Sequence, residues 1–167
     1  MIIRKSTYND LDNLMEIFNE ARKTIAALGI DQWQNGYPSY DVIYEDISLG
    51  RSYLVEVDGE VCGTFVLIDD GEPTYNEIYE GTWLKNEEYV AIHRVAISVK
   101  KRGTGISAAI MDHAKDYALS LNRYDLRIDT HKGNKVMRRM LEKQGFTHRG
   151  TIYLESGDHR VAYEKIF

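Results

Sequence analysis

Apolar and polar positions along this chain fall into runs that mark out its elements. Ile2-Ile3-Arg4 reads as a short strand, and Thr7 or Asn9 stands where a helix cap belongs. Leu11, Leu14, Met15, Phe18, Ala21, Arg22 and Ile25 then recur at three- and four-residue steps, which predicts a helix with one apolar stripe, ended by Gly29. A loop from Asp31 to Pro38 follows, and a second short helix is predicted over Tyr40 to Leu49. Ser52 to Val57 and Val61 to Ile68 read as strands joined by Asp58-Gly59, a dipeptide that supplies the positive φ angles of a tight hairpin. Asp69 to Asn86 is polar and predicts a long excursion, and Tyr89 to Val99 is a strand rich in β-branched residues.

In the predicted helix Thr104 to Leu121, one face carries Ile106, Ala109, Ile110, His113, Ala114, Tyr117, Ala118 and Leu121. Leu126 to Asp129 is a strand, and Lys135 to Gln144 a helix with Val136, Met137, Met140 and Leu141 apolar and Gly145 placed to cap its end. Two last strands, Thr147 to Leu154 and Arg160 to Ile166, flank the turn Ser156-Gly157-Asp158. The order is β-α-α-β-β-β-α-β-α-β-β. Three strands in succession without a helix between them exclude a doubly wound parallel sheet and predict a mixed one with an antiparallel half.

Composition narrows the classes. At 167 residues, with 43% hydrophobic and 28% charged content, the chain is sized for one globular domain. No apolar run approaches the ~20 residues of a membrane span, and the start Met1 to Ser6 lacks the apolar core of an export signal. Cys62 is the only cysteine, which excludes an internal disulfide and fits a cytoplasmic protein. A net charge of −5 argues against a nucleic-acid platform, whose affinity comes from neutralising phosphates. His93, Asp129 and His131 show no ligand spacing on one element, so no metal site is expected.

The most informative residues run from Lys100 to Ala108. A helix start exposes about four unbonded N–H groups and the positive end of a dipole, and proteins usually answer with an acid in the first turn. Here the first acid is Asp112, while Lys100, Lys101 and Arg102 come just before the start and glycines stand at 103 and 105. Positive polarisation with bulk removed points to a bound phosphate or pyrophosphate. The alternative is an ordinary strand-to-helix turn capped by Thr104. Gly-Lys-Ser/Thr is missing, which excludes a P-loop, and the third glycine of a dinucleotide fingerprint is missing too.

Arg102-Gly103-Thr104-Gly105-Ile106-Ser107 resembles the Arg/Gln-x-x-Gly-x-Gly/Ala signature of the GNAT superfamily of acetyl-CoA-dependent N-acetyltransferases. The strand His93 to Ile97 before it, Asn134 after it, and Glu142 to Phe146 with its Gly-Phe exit are similar to that family's pattern, and the order of elements agrees over nearly the whole chain. The resemblance implies a single-domain acyl-CoA N-acyltransferase fold over residues 1–167, of the α+β type within α/β proteins. Its mixed, mostly antiparallel sheet would have about seven strands with splayed central parallel strands, and about four helices. It implies that the amides of Gly103, Thr104, Gly105, Ile106, Ser107 and Ala108, with Arg102, cradle the pyrophosphate of acetyl-CoA. The backbone of Val95, Ala96 and Ile97 would pair with the pantetheine arm, and Asn134 would bind the same arm. Ser107 replaces the family's Gly or Ala.

The activity implied is direct transfer of an acetyl group from acetyl-CoA to a primary amine of a small molecule or peptide. Such an amine, with a pKa of ~10, is mostly protonated at neutral pH and needs a proton acceptor. Leu141 and Ala91 stand where family members often place a tyrosine acid and a glutamate base, so acid–base help must come from elsewhere or be mostly absent, leaving binding and orientation to supply the rate. His93, two residues after Ala91, is the first candidate base, against the alternative of a histidine bonded within its strand; His131 is the second. Trp33, Gln34 and Tyr37 lie in the loop that borders the acceptor pocket in this family, with Trp33 as a core plug the alternative; Tyr153 and Glu155 could also line the acceptor side. A sensing module that binds acyl-CoA without turnover is the competing reading. The expected partners are acetyl-CoA and an amine, with neither nucleic acid nor membrane, and a homodimer paired through terminal strands is an arrangement the sequence allows.

Overall fold

A computed structural model describes residues 1–167. Strand β1 (Ile2–Lys5) leads through a 3₁₀ turn at Tyr8–Asp10 into α1 (Leu11–Ala27) and α2 (Tyr40–Ser48). Then come β2 (Ser52–Val57), β3 (Glu60–Ile68), a 3₁₀ turn at Pro73–Tyr75, β4 (Val90–Ile97) and α3 (Ile106–Ser120). The chain closes with β5 (Asp125–Thr130), α4 (Lys135–Lys143), β6 (Thr147–Tyr153) and β7 (His159–Ile166). The strands form a seven-stranded sheet in the order β1-β2-β3-β4-β5-β7-β6. β1 with β2, β2 with β3, β5 with β7 and β6 with β7 are antiparallel. The parallel ladder of β4 and β5 consists of Val90 with Leu126 and Ala91 with Arg127. This is the expected mixed sheet with four helices. No helix is long and apolar enough to cross a membrane.

The residues pack as two compact units, Met1–Leu67 with Arg94–Ile110, and Ile68–His93 with Met111–Phe167. In the first, Leu11, Leu14, Ile17, Phe18 and Ala21 of α1 bury against Ile43 and Ile47 of α2, Leu54 of β2 and Ala96 of β4. The start of α1 is fixed by charge. Asp10 accepts from the Thr7 amide at 2.7 Å, and Arg4 holds the same carboxylate at 2.9 Å and Glu56 at 2.8 Å. Asn9 is not the cap. Asp58 and Gly59 take φ of 53° and 77°, as the hairpin requires.

Arg94, within β4, has φ of 51°. A left-handed conformation costs a residue with a side chain roughly 1–2 kcal/mol, so something must hold it. Its guanidinium bonds both oxygens of the buried Asp46 on α2 at 2.7 Å and donates to the Tyr37 hydroxyl at 2.5 Å. A forked, largely desolvated pair of this kind is among the stronger polar contacts a protein makes, and it offsets the backbone cost.

The second unit is organised by a buried charge cluster. Arg127 lies between the rings of Trp83 and Tyr89, 4.3 and 4.1 Å from their centres. It contacts Asp125 at 3.1 Å and Glu164 at 3.6 Å, both at most 1% exposed in their side chains. These charges reach the excursion through its backbone. Glu164 accepts from the Leu84 amide at 2.7 Å, Arg127 donates to the Lys85 carbonyl at 2.6 Å, and Arg149 donates to the Thr82 carbonyl at 2.9 Å. Gly81 admits the close approach, since a Cβ there would lie 1.8 Å from the Arg149 carbonyl oxygen. What reads as a polar loop in sequence is therefore strapped to β5, β6 and β7.

Burial pushes the Asp125 carboxyl up to about 7; Arg127 opposes this, and a hydrogen bond shared with Glu164 adds to it. The folded protein thus keeps a proton that the unfolded chain releases near pH 4. Between about pH 4 and pH 7 the folded state binds more protons, so this group lowers stability as pH rises. Asp125→Asn removes that titration. Its melting temperature relative to wild type should improve by about 10 °C from pH 4.5 to pH 8, from about 1.4 kcal/mol per pH unit below pH 7 at roughly 2–4 °C per kcal/mol. A difference that stays flat or reverses in thermal melts across this range contradicts the assignment.

Candidate active site

In the first unit, β4 runs into a 3₁₀ turn at Val99–Lys101, whose start is tied down by the Val99 amide donating to Glu20 at 3.0 Å. The chain then passes through Gly103 and Gly105 at φ of 75° and 86°, and a Cβ built on either would meet nothing within 4 Å. The ladder of α3 opens with the Ala109 amide on the Gly105 carbonyl at 3.1 Å. Thr104 does not cap the helix: its hydroxyl donates back to the Lys101 carbonyl. No hydrogen bond of the turn engages the amides from Gly103 to Ala108, and no acid stands in the first turn of α3. Ile106 is buried and packs over Gly63, which fixes the direction in which the helix leaves. The outcome is a row of main-chain donors at the positive end of a dipole, on an exposed turn preceded by Lys100, Lys101 and Arg102.

Ala96 of β4 faces the core, Val95 and Ile97 are half-buried, and the three lie outside the β4–β5 ladder. The loop residues divide. Trp33 packs edge-on against Phe18 and joins the core, as the plug reading has it. Gln34 is exposed and spends its amide on the carbonyls of Arg22 and Gln32. Tyr37 is exposed, and its hydroxyl accepts from Arg94.

The second unit holds the other candidates. His93 stands immediately before Arg94 on β4, with Nε2 2.9 Å from Glu72 Oε2. Nε2 is buried, and the angle of this contact falls short of a hydrogen bond. The other Glu72 oxygen accepts from the Thr74 hydroxyl at 3.0 Å and the Thr74 amide at 3.3 Å. Burial works to raise the Glu72 carboxyl, but His93, and after it Thr74, outweigh burial and hold it down at about 2. Tyr75 stacks on the His93 ring, with centres 5.8 Å apart, and donates to Asp129 of β5 at 2.5 Å. Burial first, and Asp129 second, push the Tyr75 hydroxyl well above the ordinary phenol range. The Glu72 amide donates to the Tyr89 hydroxyl at 2.9 Å.

Asn134 caps α4, its side-chain oxygen accepting from the Met137 amide at 3.2 Å. His131 shapes the same entry, with Nδ1 accepting from the Gly133 amide at 2.9 Å. Tyr153 is exposed and packs edge-on with Tyr79, and Glu155 is exposed at the tip beyond β6. Ala91 and Leu141, where relatives would carry glutamate and tyrosine, are fully buried. Sequence reasoning missed Glu72, Tyr75 and Arg94. The first two sit in a polar stretch whose signal was Glu72-Pro73-Thr74, an acid and a proline opening a helical turn.

A seven-stranded mixed sheet and a glycine turn of open amides between β4 and α3 define the acyl-CoA N-acyltransferase fold. Residues 11–146 match the acetyltransferase (GNAT) family, and the chain belongs to that family and is an acyltransferase. A GNAT-family acetyltransferase from Streptococcus agalactiae is similar at 36% identity, covering 99% of this chain and 95% of that one, with a TM-score of 0.91. A ribosomal-protein-alanine N-acetyltransferase from Brucella melitensis shares the fold at 19% identity and a TM-score of 0.70, covering 100% of both chains. So does a PaiA N-acetyltransferase from Thermoplasma acidophilum, solved with coenzyme A, at 18% identity and a TM-score of 0.72, covering 99% of this chain and 98% of that one. No curated protein matches the chain.

Gly105→Glu places a carboxylate on the open turn and should weaken coenzyme A binding at least tenfold by calorimetry, a loss of about 1.4 kcal/mol or more. Because φ at this position is 86°, the variant should also lose roughly 1–2 kcal/mol of stability. Unchanged affinity contradicts the anion site.

Proposed function

We propose that the chain, as one catalytic domain over residues 1–167, transfers an acetyl group from acetyl-CoA directly to a primary amine of a small molecule or peptide. The observation that carries this reading is the row of unbonded amides from Gly103 to Ala108 beside three basic residues. A turn without side-chain bulk, already polarised for an anion, suits a diphosphate. The coenzyme A bound to the Thermoplasma relative adds support at the level of the shared fold.

Bound acetyl-CoA supplies an acyl group activated as a thioester. The chain's own residues supply the rest. The amides of Gly103, Thr104, Gly105, Ile106, Ser107 and Ala108, with Arg102, hold the pyrophosphate; the backbone of Val95, Ala96 and Ile97 and the side chain of Asn134 hold the pantetheine arm. His93 takes the proton that the amine gives up as its nitrogen forms the amide bond. The thiolate leaves with the C–S electron pair and takes a proton from water to become the thiol, while His93 gives the proton it accepted back to water, so none is gained or lost. Gln34 and Tyr37 border the acceptor, with Tyr37 the more available of the two because Gln34 spends its amide on the carbonyls of Arg22 and Gln32, while Trp33 backs the loop from the core. The competing reading, a sensor that binds acyl-CoA without turnover, draws on the closure of the Ala91 and Leu141 positions.

An amine panel with acetyl-CoA, followed by thiol release, separates the two: turnover supports the enzyme, and tight coenzyme binding with no release above background supports the sensor. His93→Ala should lower kcat by about 10²-fold with a smaller change in KM. A wild-type kcat and pH profile removes His93 as the base.

A further inference from the structure

Glu72 has no counterpart in the sequence signals for the site, yet its surroundings are built. Its amide is held by Tyr89, whose ring packs on the Arg127 guanidinium, and its side chain begins the 3₁₀ turn that carries Tyr75. One carboxylate oxygen is taken by the two Thr74 donors, and the other is left 2.9 Å from Nε2 of His93. Tyr75 stacks on the imidazole ring and is itself tethered to Asp129. The carboxylate and the phenol ring beside the histidine are thereby each fixed by something else, and the histidine side chain is still 16% exposed.

We propose that Glu72 is the positioning residue of the base: it holds the proton of neutral His93 on Nε2, leaving Nδ1 bare to accept the proton of the amine. The proposal rests on the reading of His93 as base. When Nδ1 accepts that proton, the new positive charge on the ring faces a carboxylate 2.9 Å away, and the pair stabilises it. The present angle is imperfect, as catalytic contacts often are before substrate arrives. Burial of Nε2 rules it out as the nitrogen that meets substrate.

Glu72→Gln tests this sharply. The glutamine oxygen stays with the Thr74 donors, so its NH₂ must point at Nε2. A donor there demands a bare Nε2 and moves the ring proton to Nδ1, which disables the base. The ¹⁵N spectrum of histidine-labelled wild-type protein should show neutral His93 protonated on Nε2, and the variant should show it protonated on Nδ1. The variant's kcat should fall on the order of tenfold or more with KM for acetyl-CoA within about twofold of wild type. A wild-type ring protonated on Nδ1 overturns the proposal even if the variant does not fold, and so does a variant that keeps the wild-type tautomer. If the tautomer switches while His93→Ala retains full kcat, Glu72 still positions the ring and it is the base assignment that falls.

Discussion

Helix α3 begins at Ile106 on a turn that carries no acid and whose Thr104 hydroxyl is turned back to the Lys101 carbonyl. The amides it leaves open are a standing cost unless water or a ligand meets them, and the residues of the turn are arranged with respect to that opening. Gly103 and Gly105 keep it clear, Ile106 anchors it from beneath, and the 3₁₀ turn before it brings three basic residues close. A helix that served only as packing would gain stability from an acid or an effective cap at this point. This chain forgoes both.

Strand β4 leads into that turn. Its left-handed residue, Arg94, is held by Asp46, while the residue before it, His93, is held by Glu72. Two neighbouring side chains on one strand are thus each locked by a carboxylate from a distant part of the sequence. The contacts differ in character: Arg94 makes a forked, aligned pair, whereas His93 makes a close but poorly aligned one. The excursion between β3 and β4 is held at Thr82, Leu84 and Lys85 by Arg149, Glu164 and Arg127, and at Glu72 by the Tyr89 hydroxyl.

Much of the fold was legible in the sequence because it rests on local signals. The stripe of α1, the Asp58-Gly59 hairpin and the glycine turn before α3 all declare themselves within a few residues, and each element falls within two or three residues of its expected bounds. The open amides of that turn were legible for the same reason. The partners of the chemistry were not, because they come from far along the chain: Glu72 lies 21 positions before His93, and Asp46 48 positions before Arg94. A polar run such as Asp69 to Asn86 gives no sign of which of its side chains turns inward. Trp33 shows the reverse, an aromatic in a loop that belongs to the core.

In the proposed enzyme, main-chain donors between Gly103 and Ala108 receive a diphosphate. An amide ¹H–¹⁵N titration with coenzyme A, set beside one with pantetheine, which lacks the diphosphate, tests it most directly. Coenzyme A should move the amide protons of Gly103 to Ala108 strongly downfield, and pantetheine should leave them in place. Resonances that ignore coenzyme A, or that respond equally to both compounds, would contradict the account.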